Sequence, residues 1–551
     1  MNPDTRDNWL TGALVAGVAL AALLAWHVAL VVTAPGHGIL ALSATVRGLV
    51  QLRPLQPADV STPAPLSATV LITVMITVVT VTTLLLTNAR GGAAPVRRKG
   101  MNSGQSIKRA ARSKHSPLGL VVGYDGRRPV TARVEDSALL IAPPRAGKTT
   151  RRVVALVRQA PGACVTTSTK ADVLRATHAE RAKFGRVLVF DPERTSLWPE
   201  KVSWDIVAGC EDQVEATERA RALVAAHPIT GTKNADFFES TAAIVFSRNL
   251  HAAALAGKSI EDVLRWSSDW RNNEPYDILG DSPEAAKNWG AELFVVTRGP
   301  AHETTSSTQQ ALKVMLEPLA TPEAVASMMP SAHQINVNDF VRSRDTLYLM
   351  SQSGEGSAAP LTTALVATIE RQARIQSQHT ISGSLATPMT FVLDEAPNIA
   401  ALPSLPSLMT DGGGRGLMVW VIAQSMSQLK GRWGDAGADT IFDGAAVKLI
   451  LGGGSDEAFL EKLSVLVGQH RVQRSSTSYG NGNGGGSKSV SQEWARILRP
   501  EEIRELPEGK ALLLYRNQRA AIVSLPAWFE GKERKTVEAS IAAAARLEGI
   551  T

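Results

Sequence analysis

The chain has 551 residues, with 58 Lys and Arg against 51 Asp and Glu, so it is too long for a single minimal domain and only mildly basic, at a formal net charge of +7. Two cysteines, Cys164 and Cys210, exclude a disulfide scaffold and a zinc ribbon. The small positive excess suits an anionic partner, but the basic flanks of a membrane anchor account for it equally well.

Residues 10–33 are apolar apart from one ionisable side chain, His27, and residues 67–87 contain none, so each run matches the roughly 20 residues that cross a bilayer. The first run has no basic leader and is followed by a second, which sets it apart from a secretory leader. Residues 89–115 carry Arg90, Arg97, Arg98, Lys99, Lys108, Arg109, Arg112 and Lys114 without an acidic residue, and the positive-inside rule puts such a linker in the cytoplasm. Two transmembrane helices are therefore predicted, with both termini cytoplasmic and residues 34–66 as a short external loop. The same basic stretch has the chemistry to hold anionic lipid or nucleic acid.

Next comes an apolar strand, Ala138-Leu139-Leu140-Ile141, running into Ala142-Pro143-Pro144-Arg145-Ala146-Gly147-Lys148-Thr149-Thr150 and then a helical pattern through Val153, Val154, Leu156 and Val157. Strand, phosphate loop and helix in this order form an anion cradle of backbone N–H groups. Lys148 is placed to neutralise the β- and γ-phosphates of ATP, and the Thr149 hydroxyl to complete a Mg²⁺ shell. Ala142 stands where such loops usually have their first glycine. The expected partner is Met389-Thr390-Phe391-Val392-Leu393-Asp394-Glu395, a buried strand ending in two carboxylates. Asp394 would hold Mg²⁺ through water, and Glu395 would orient and deprotonate the attacking water. Gln424, at the carboxyl end of another apolar strand, is suited to sensing the γ-phosphate. Arg415, in Asp411-Gly412-Gly413-Gly414-Arg415-Gly416, is a candidate arginine finger reaching a neighbouring subunit, with a solvated loop arginine as the alternative reading.

Further strands are predicted at 163–167, 186–190, 346–350, 418–423 and 447–451, mostly separated by helical patterns, which argues an α/β fold with a doubly wound, mainly parallel sheet. On this reading the ATPase domain is RecA-like and spans 116–213 and 339–530, interrupted by an inserted all-α domain at 214–338. A cap at Ser259-Ile260-Glu261-Asp262 supports the helical assignment, and Trp266, Trp270 and Trp289 read as core residues. Residues 475–487, rich in glycine, read as a mobile loop. Strands at 511–515 and 520–524 form a last hairpin, and 531–551 a helical tail.

In order and spacing, the two apolar runs, the basic linker, Ala142 to Thr150, Ser168-Thr169-Lys170-Ala171-Asp172, Phe190-Asp191-Pro192, the helical insertion, Phe391 to Glu395 and the later Arg499-Pro500 and Leu506-Pro507-Glu508-Gly509 resemble the TraG/TraD type of conjugative coupling protein. That resemblance implies a P-loop ATPase of the bacterial inner membrane, related to FtsK/HerA motors. It further implies a homo-hexamer that delivers relaxase-bound DNA to the channel of a type IV secretion system, with the helical insertion recognising substrate. Two other functions fit the same motifs: a membrane receptor that recruits effector proteins to a secretion channel, with nucleotide serving assembly only, and an FtsK-like translocase of duplex DNA.

Overall fold

Short apolar stretches that must bury both faces set the architecture. The computed structural model describes residues 99–112, 118–226, 235–300, 302–354, 356–478 and 487–550. Its strands are β1 (Leu118–Asp125), β2 (Arg128–Arg133), β3 (Ala138–Ile141), β4 (Cys164–Ser168), β5 (Val187–Phe190), β6 (Thr346–Met350), β7 (Met389–Leu393), β8 (Leu417–Ala423), β9 (Val447–Leu451), β10 (Gln469–Ser478), β11 (Ser487–Arg496), β12 (Lys510–Tyr515) and β13 (Ala521–Ser524). Eleven of them form one sheet in the order β2-β1-β13-β12-β9-β3-β8-β7-β4-β6-β5. From β9 to β5 all pairings are parallel. Every residue of β3, β4, β6, β7 and β8 is buried, as expected where helices cover both faces.

Alternation along each strand divides the core. Leu139 and Ile141 point into a cluster that includes Trp204, Trp266 and Trp289, whereas Ala138 and Leu140 point into the opposite one with Val153 and Leu156 of the helix after the phosphate loop. Trp266, Trp270 and Trp289 are all buried, as their spacing among apolar residues predicts. The helices between β5 and β6 share this first cluster with the sheet instead of closing a core of their own. The first of them, Gln213–Ala225, is tied to the sheet-covering helix Ala359–Gln378 by Arg371, which reaches Glu215 at 2.7 Å.

The sheet is more mixed than the sequence predicts. Beyond β9 the order β12, β13, β1, β2 is antiparallel throughout. The basic stretch, expected to be a linker as far as residue 115, contains a helix, Gly104–Ala111. Ser103 caps it, the Ser103 hydroxyl accepting from the Ser106 N–H at 3.2 Å, and Ile107 and Ala111 are buried. The segment from 118 onward, overshadowed by the charges before it, is a sheet strand. A second sheet, the β10–β11 hairpin, is also unanticipated: it is polar, so it has no apolar alternation to reveal it, and it pairs from Gln469↔Arg496 to Ser478↔Ser487. The central part of the glycine-rich loop, 479–486, lies outside the described residues, as do the apolar runs at 10–33 and 67–87. Among the described residues no helix is long and apolar enough to cross a membrane. The predicted final hairpin is β12–β13, and the predicted tail is a helix, Arg534–Leu547, whose Ser540 hydroxyl donates to the Arg175 carbonyl at 2.8 Å.

One buried cation fastens the amino-terminal edge of the parallel strands. The fully buried Arg181 donates to the carbonyls of Ala160 (2.6 Å), Gly162 (2.9 Å) and Arg344 (3.2 Å) and to the Thr346 hydroxyl (2.6 Å). These acceptors flank β4 and β6, so one guanidinium satisfies the turns that feed two strands. Arg181→Met should leave them unsatisfied and destabilise the protein by about 3 kcal/mol, with Arg181→Lys losing less, as read from urea unfolding midpoints. A loss below about 0.5 kcal/mol for the Met variant would show that the turns hold without it.

Candidate nucleotide-binding site

Three adjacent strands end together at one edge of the sheet. β3 pairs with β8 up to Ile141↔Ala423, and β8 pairs with β7 up to Val421↔Leu393. The loop after β3, Gln424 after β8 and the Asp394-Glu395 pair after β7 therefore emerge side by side, at the carboxyl edge where open α/β sheets bind ligands.

At the start of the phosphate loop the chain has not left the ladder. The Ala142 N–H donates to the Ala423 carbonyl at 3.0 Å, its side chain is buried, and its φ is not positive. Alanine therefore meets what the backbone asks of the first position. Left-handed conformations come later in the loop, at Arg145 (φ 64°) and Gly147 (φ 76°). A Cβ on Gly147 would lie 3.1 Å from Arg151 Nε, so glycine also gives the loop room to turn into its helix. That helix opens with a π turn over Thr149–Val153 and continues as Val154–Gln159. The Thr150 hydroxyl donates to the Gly147 carbonyl at 3.2 Å, closing the loop on itself.

Lys148 joins the two halves of the site. Its ammonium is 2.8 Å from Glu395 Oε1 and 3.1 Å from Asp394 Oδ1, across 247 and 246 residues of sequence. All three side chains are largely shielded, at 16, 6 and 16 % exposure for Lys148, Asp394 and Glu395. Burial pushes the Asp394 carboxyl up despite the ammonium beside it. Burial also works to raise Glu395, but hydrogen bonding and attraction to Lys148, then Asn398 and Gln424, outweigh it and hold this carboxyl below its usual range. Gln424 Nε2 donates to Glu395 Oε1 at 3.4 Å, while the Gln424 N–H donates to Gln428 Oε1 at 3.0 Å. Behind Asp394, the Thr167 hydroxyl of β4 donates to its carbonyl at 2.8 Å. Glu395 has φ 52°, a left-handed conformation that costs a non-glycine residue about 1–3 kcal/mol and is held here by its surroundings.

Lys148, Asp394, Glu395 and Gln424 are thus brought together, with Thr149 at the mouth of the loop. Arg415 is not among them. It closes the short 3-10 turn Gly412–Arg415, before the amino-terminal end of β8, and so belongs to the opposite edge of the sheet, where it lies 3.3 Å from Asp411. That turn is no open loop: a Cβ on Gly413 would come within 1.9 Å of the Glu135 carbonyl. Asn398, Thr167 and Gln428 were not singled out from the sequence. The signal for Asn398 was its place three residues after Glu395, on the turn that follows the strand.

For a divalent cation, the donor set is a half-exposed Thr149 hydroxyl and the shielded Asp394 carboxylate. Among the described residues no group of three or more His, Cys, Asp or Glu is poised to hold a metal. Such a sparse oxygen set fits Mg²⁺, which keeps several waters and takes further oxygens from a phosphate ligand.

Comparison with known proteins bears on the fold and on the kind of protein this chain resembles. Residues 388–508, which begin one residue before β7, match the family model described as the TraM recognition site of TraD and TraG. Protein VirD4 of Rhizobium rhizogenes is 24 % identical over 395 residues, covering 69 % of this chain and 56 % of that protein. Protein VirD4 of Agrobacterium fabrum (strain C58) is 25 % identical over 392 residues, covering 68 % and 56 %. The chain therefore spans little more than half the length of these curated relatives. Among solved structures, the unbound bacterial conjugative coupling protein TrwBdeltaN70 superposes with a TM-score of 0.58 at 20 % identity, covering 79 % of this chain and 94 % of that one. The plasmid coupling protein TrwB in complex with the ATP analogue ADPNP gives 0.58 at 19 % identity, covering 79 % and 95 %. TrwB in complex with ADP and Mg²⁺ gives 0.57 at 18 % identity over the same shares. At these identities the structural likeness speaks to the fold, and the sequence matches carry the kinship. On the two together, the chain is similar to the TraG/TraD/VirD4 family of conjugative coupling proteins and has a TrwB-like fold.

Proposed function

We propose that this protein is a membrane-anchored ATPase that couples ATP hydrolysis to the delivery of relaxase-bound DNA into a type IV secretion channel. The observation that carries the reading is Lys148 held between Asp394 and Glu395, a cation and two carboxylates assembled from opposite ends of the nucleotide domain. The kinship to VirD4 and the TrwB-like fold support the cargo and the channel. The match to the TraM recognition site supports, as a further partner, a TraM-like protein docking on residues 388–508. The apolar runs at 10–33 and 67–87 would be the anchor in the bacterial inner membrane, and a homo-hexameric ring the working form.

The chain's own residues give the chemistry. Phosphate oxygens entering the loop compete with Glu395 and Asp394 for the Lys148 ammonium. Once Lys148 turns to the phosphates, the interaction that lowers Glu395 is gone and its burial remains, so its proton affinity rises and it becomes a better general base for water. Gln424, within reach of the same carboxylate, orients that water or reads the terminal phosphate. Thr149 directly and Asp394 through water would hold Mg²⁺, which when bound supplies charge neutralisation at the β- and γ-oxygens. Arg415, at the far edge of its own sheet, is out of reach of its own site, so any catalytic role would be toward a neighbouring subunit.

Glu395→Gln should retain ATP binding while lowering kcat by about three orders of magnitude, and Lys148→Ala should lose binding itself, both measured by equilibrium nucleotide binding and steady-state phosphate release. Gln424→Ala should lower kcat about tenfold to a hundredfold with little change in KM. Full-length protein should hydrolyse ATP faster with single-stranded DNA present; no turnover with or without DNA would sink the motor reading and leave a receptor for secreted proteins. The trans arginine has its own test. Arg415→Ala and Lys148→Ala chains, each inactive alone, should recover activity when mixed, because some mixed interfaces then pair an intact loop with an intact arginine. An active Arg415→Ala chain, or mixtures that stay inactive, would remove Arg415 from the mechanism.

A further inference from the structure

The base of the β10–β11 hairpin borders a cleft whose described lining holds cations and no carboxylate. At its base, directly across the ladder, Arg471 stacks on Trp494 with its guanidinium carbon 5.1 Å from the indole centroid, and Trp494 is 63 % exposed. Beside the pair is a cleft of ≈ 360 Å³ lined by Lys99, His470, Arg471, Trp494, Ile497 and Arg519 among others, with no acidic residue in its wall. Nearby arginines behave differently. Arg496 is paired with Glu461 at 2.6 Å, and Arg516 with Glu135 at 2.9 Å. Among the described residues His470 Nδ1 is buried without a partner.

Two further observations choose the occupant. In the last turn of the preceding helix, Glu457–Val467, Val465 and Leu466 are 63 and 53 % exposed, so aliphatic surface adjoins the cationic cleft. The chain also passes through this rim within the basic stretch, just after Arg97-Arg98-Lys99: Gly100 lies so close to Ile497 that a Cβ would be 2.8 Å from its Cδ1, and the Asn102 N–H donates to the Ala520 carbonyl at 2.9 Å. In sequence, Lys99 follows the second apolar run by a dozen residues. Exposed aliphatics, one indole, and Lys and Arg with no ion pair among the described residues make up the composition that rests at the headgroup level of a bilayer. Single-stranded nucleic acid would be served by several aromatic platforms for successive bases and has no use for Val465 and Leu466.

We infer that the hairpin base is a headgroup site for anionic phospholipid, which seats the ATPase body on the cytoplasmic leaflet through Lys99, Arg471 and Arg519, with Trp494 at the interface. This goes beyond the anchor of the proposed function but rests on its placing the chain at a membrane. Full-length protein would be mixed with phosphatidylcholine vesicles, with or without about 30 % phosphatidylglycerol, and amide hydrogen exchange followed in residues 469–473 and 491–497. Phosphatidylglycerol should slow exchange there by roughly tenfold or more, and the triple variant Lys99→Glu, Arg471→Glu, Arg519→Glu should lose that effect with an unchanged melting temperature. Exchange equal in the two lipids overturns the proposal. So does protection that needs an added single-stranded oligonucleotide, which makes this a nucleic-acid surface, or protection that follows protein concentration whatever the lipid, which makes it an interface between copies. Flotation with the neutral vesicles reports separately on the anchor: a chain that fails to float contradicts the membrane-spanning reading, while the response of the hairpin to phosphatidylglycerol still decides the headgroup site.

Discussion

The ammonium of Lys148 is the point on which the site turns. Two adjacent carboxylates in a shielded place repel one another, and each is costly to ionise there. One cation between them makes the pair tolerable, and the same cation is what a polyphosphate would attract. The site as it stands is a closed internal salt. On the proposed function, binding would exchange one set of anions for another and so couple occupancy of the loop after β3 to the charge state of the residues after β7. The surrounding order serves this coupling: Thr167 holds the Asp394 carbonyl, Gln428 holds the turn bearing Gln424, and a left-handed backbone at Glu395 directs its carboxylate back toward the loop.

Much of this was legible because buried parallel strands announce themselves as short, uninterrupted apolar runs. Ala138-Leu139-Leu140-Ile141 before the loop and Phe391-Val392-Leu393 before the carboxylates could be placed on one sheet edge before any coordinates, and the meeting of Lys148 with Asp394, Glu395 and Gln424 follows from that edge. The helical stretch between β5 and β6 was equally visible, from its caps and from tryptophans at apolar positions.

What escaped the sequence did so for separate reasons. β1 was eclipsed by the charges preceding it, since the arginines and lysines read as a topology signal drew attention from the apolar alternation beginning at Leu118. The β10–β11 hairpin alternates polar with polar, and only pairing across the glycine-rich loop reveals it. Ala142 looked like a defect in the phosphate loop because the pattern counts residues and not angles; the bond to Ala423 shows that the position just past β3 is still held to the neighbouring strand. Arg415 looked like part of an open loop because four glycines suggest freedom, whereas Gly413 serves a close backbone approach to Glu135.

The antiparallel flank of the sheet has a consequence for how the protein is made. β1 is held between β2 and β13, with Tyr124 opposite Ser524. β3, which carries the phosphate loop, has β8 and β9 as its neighbours, strands that begin at Leu417 and Val447. At about 5–20 residues per second of synthesis, the loop strand waits on the order of tens of seconds for its neighbours, and β1 waits longer still. During that interval the amino-terminal part of the nucleotide domain is on the ribosome with open strand edges and an incomplete core. A nascent chain stalled before β13 can contain Lys148, Asp394, Glu395 and Gln424 and still lack the closed flank of the sheet, so the strand order leaves unpaired edges that need shielding until synthesis is nearly complete.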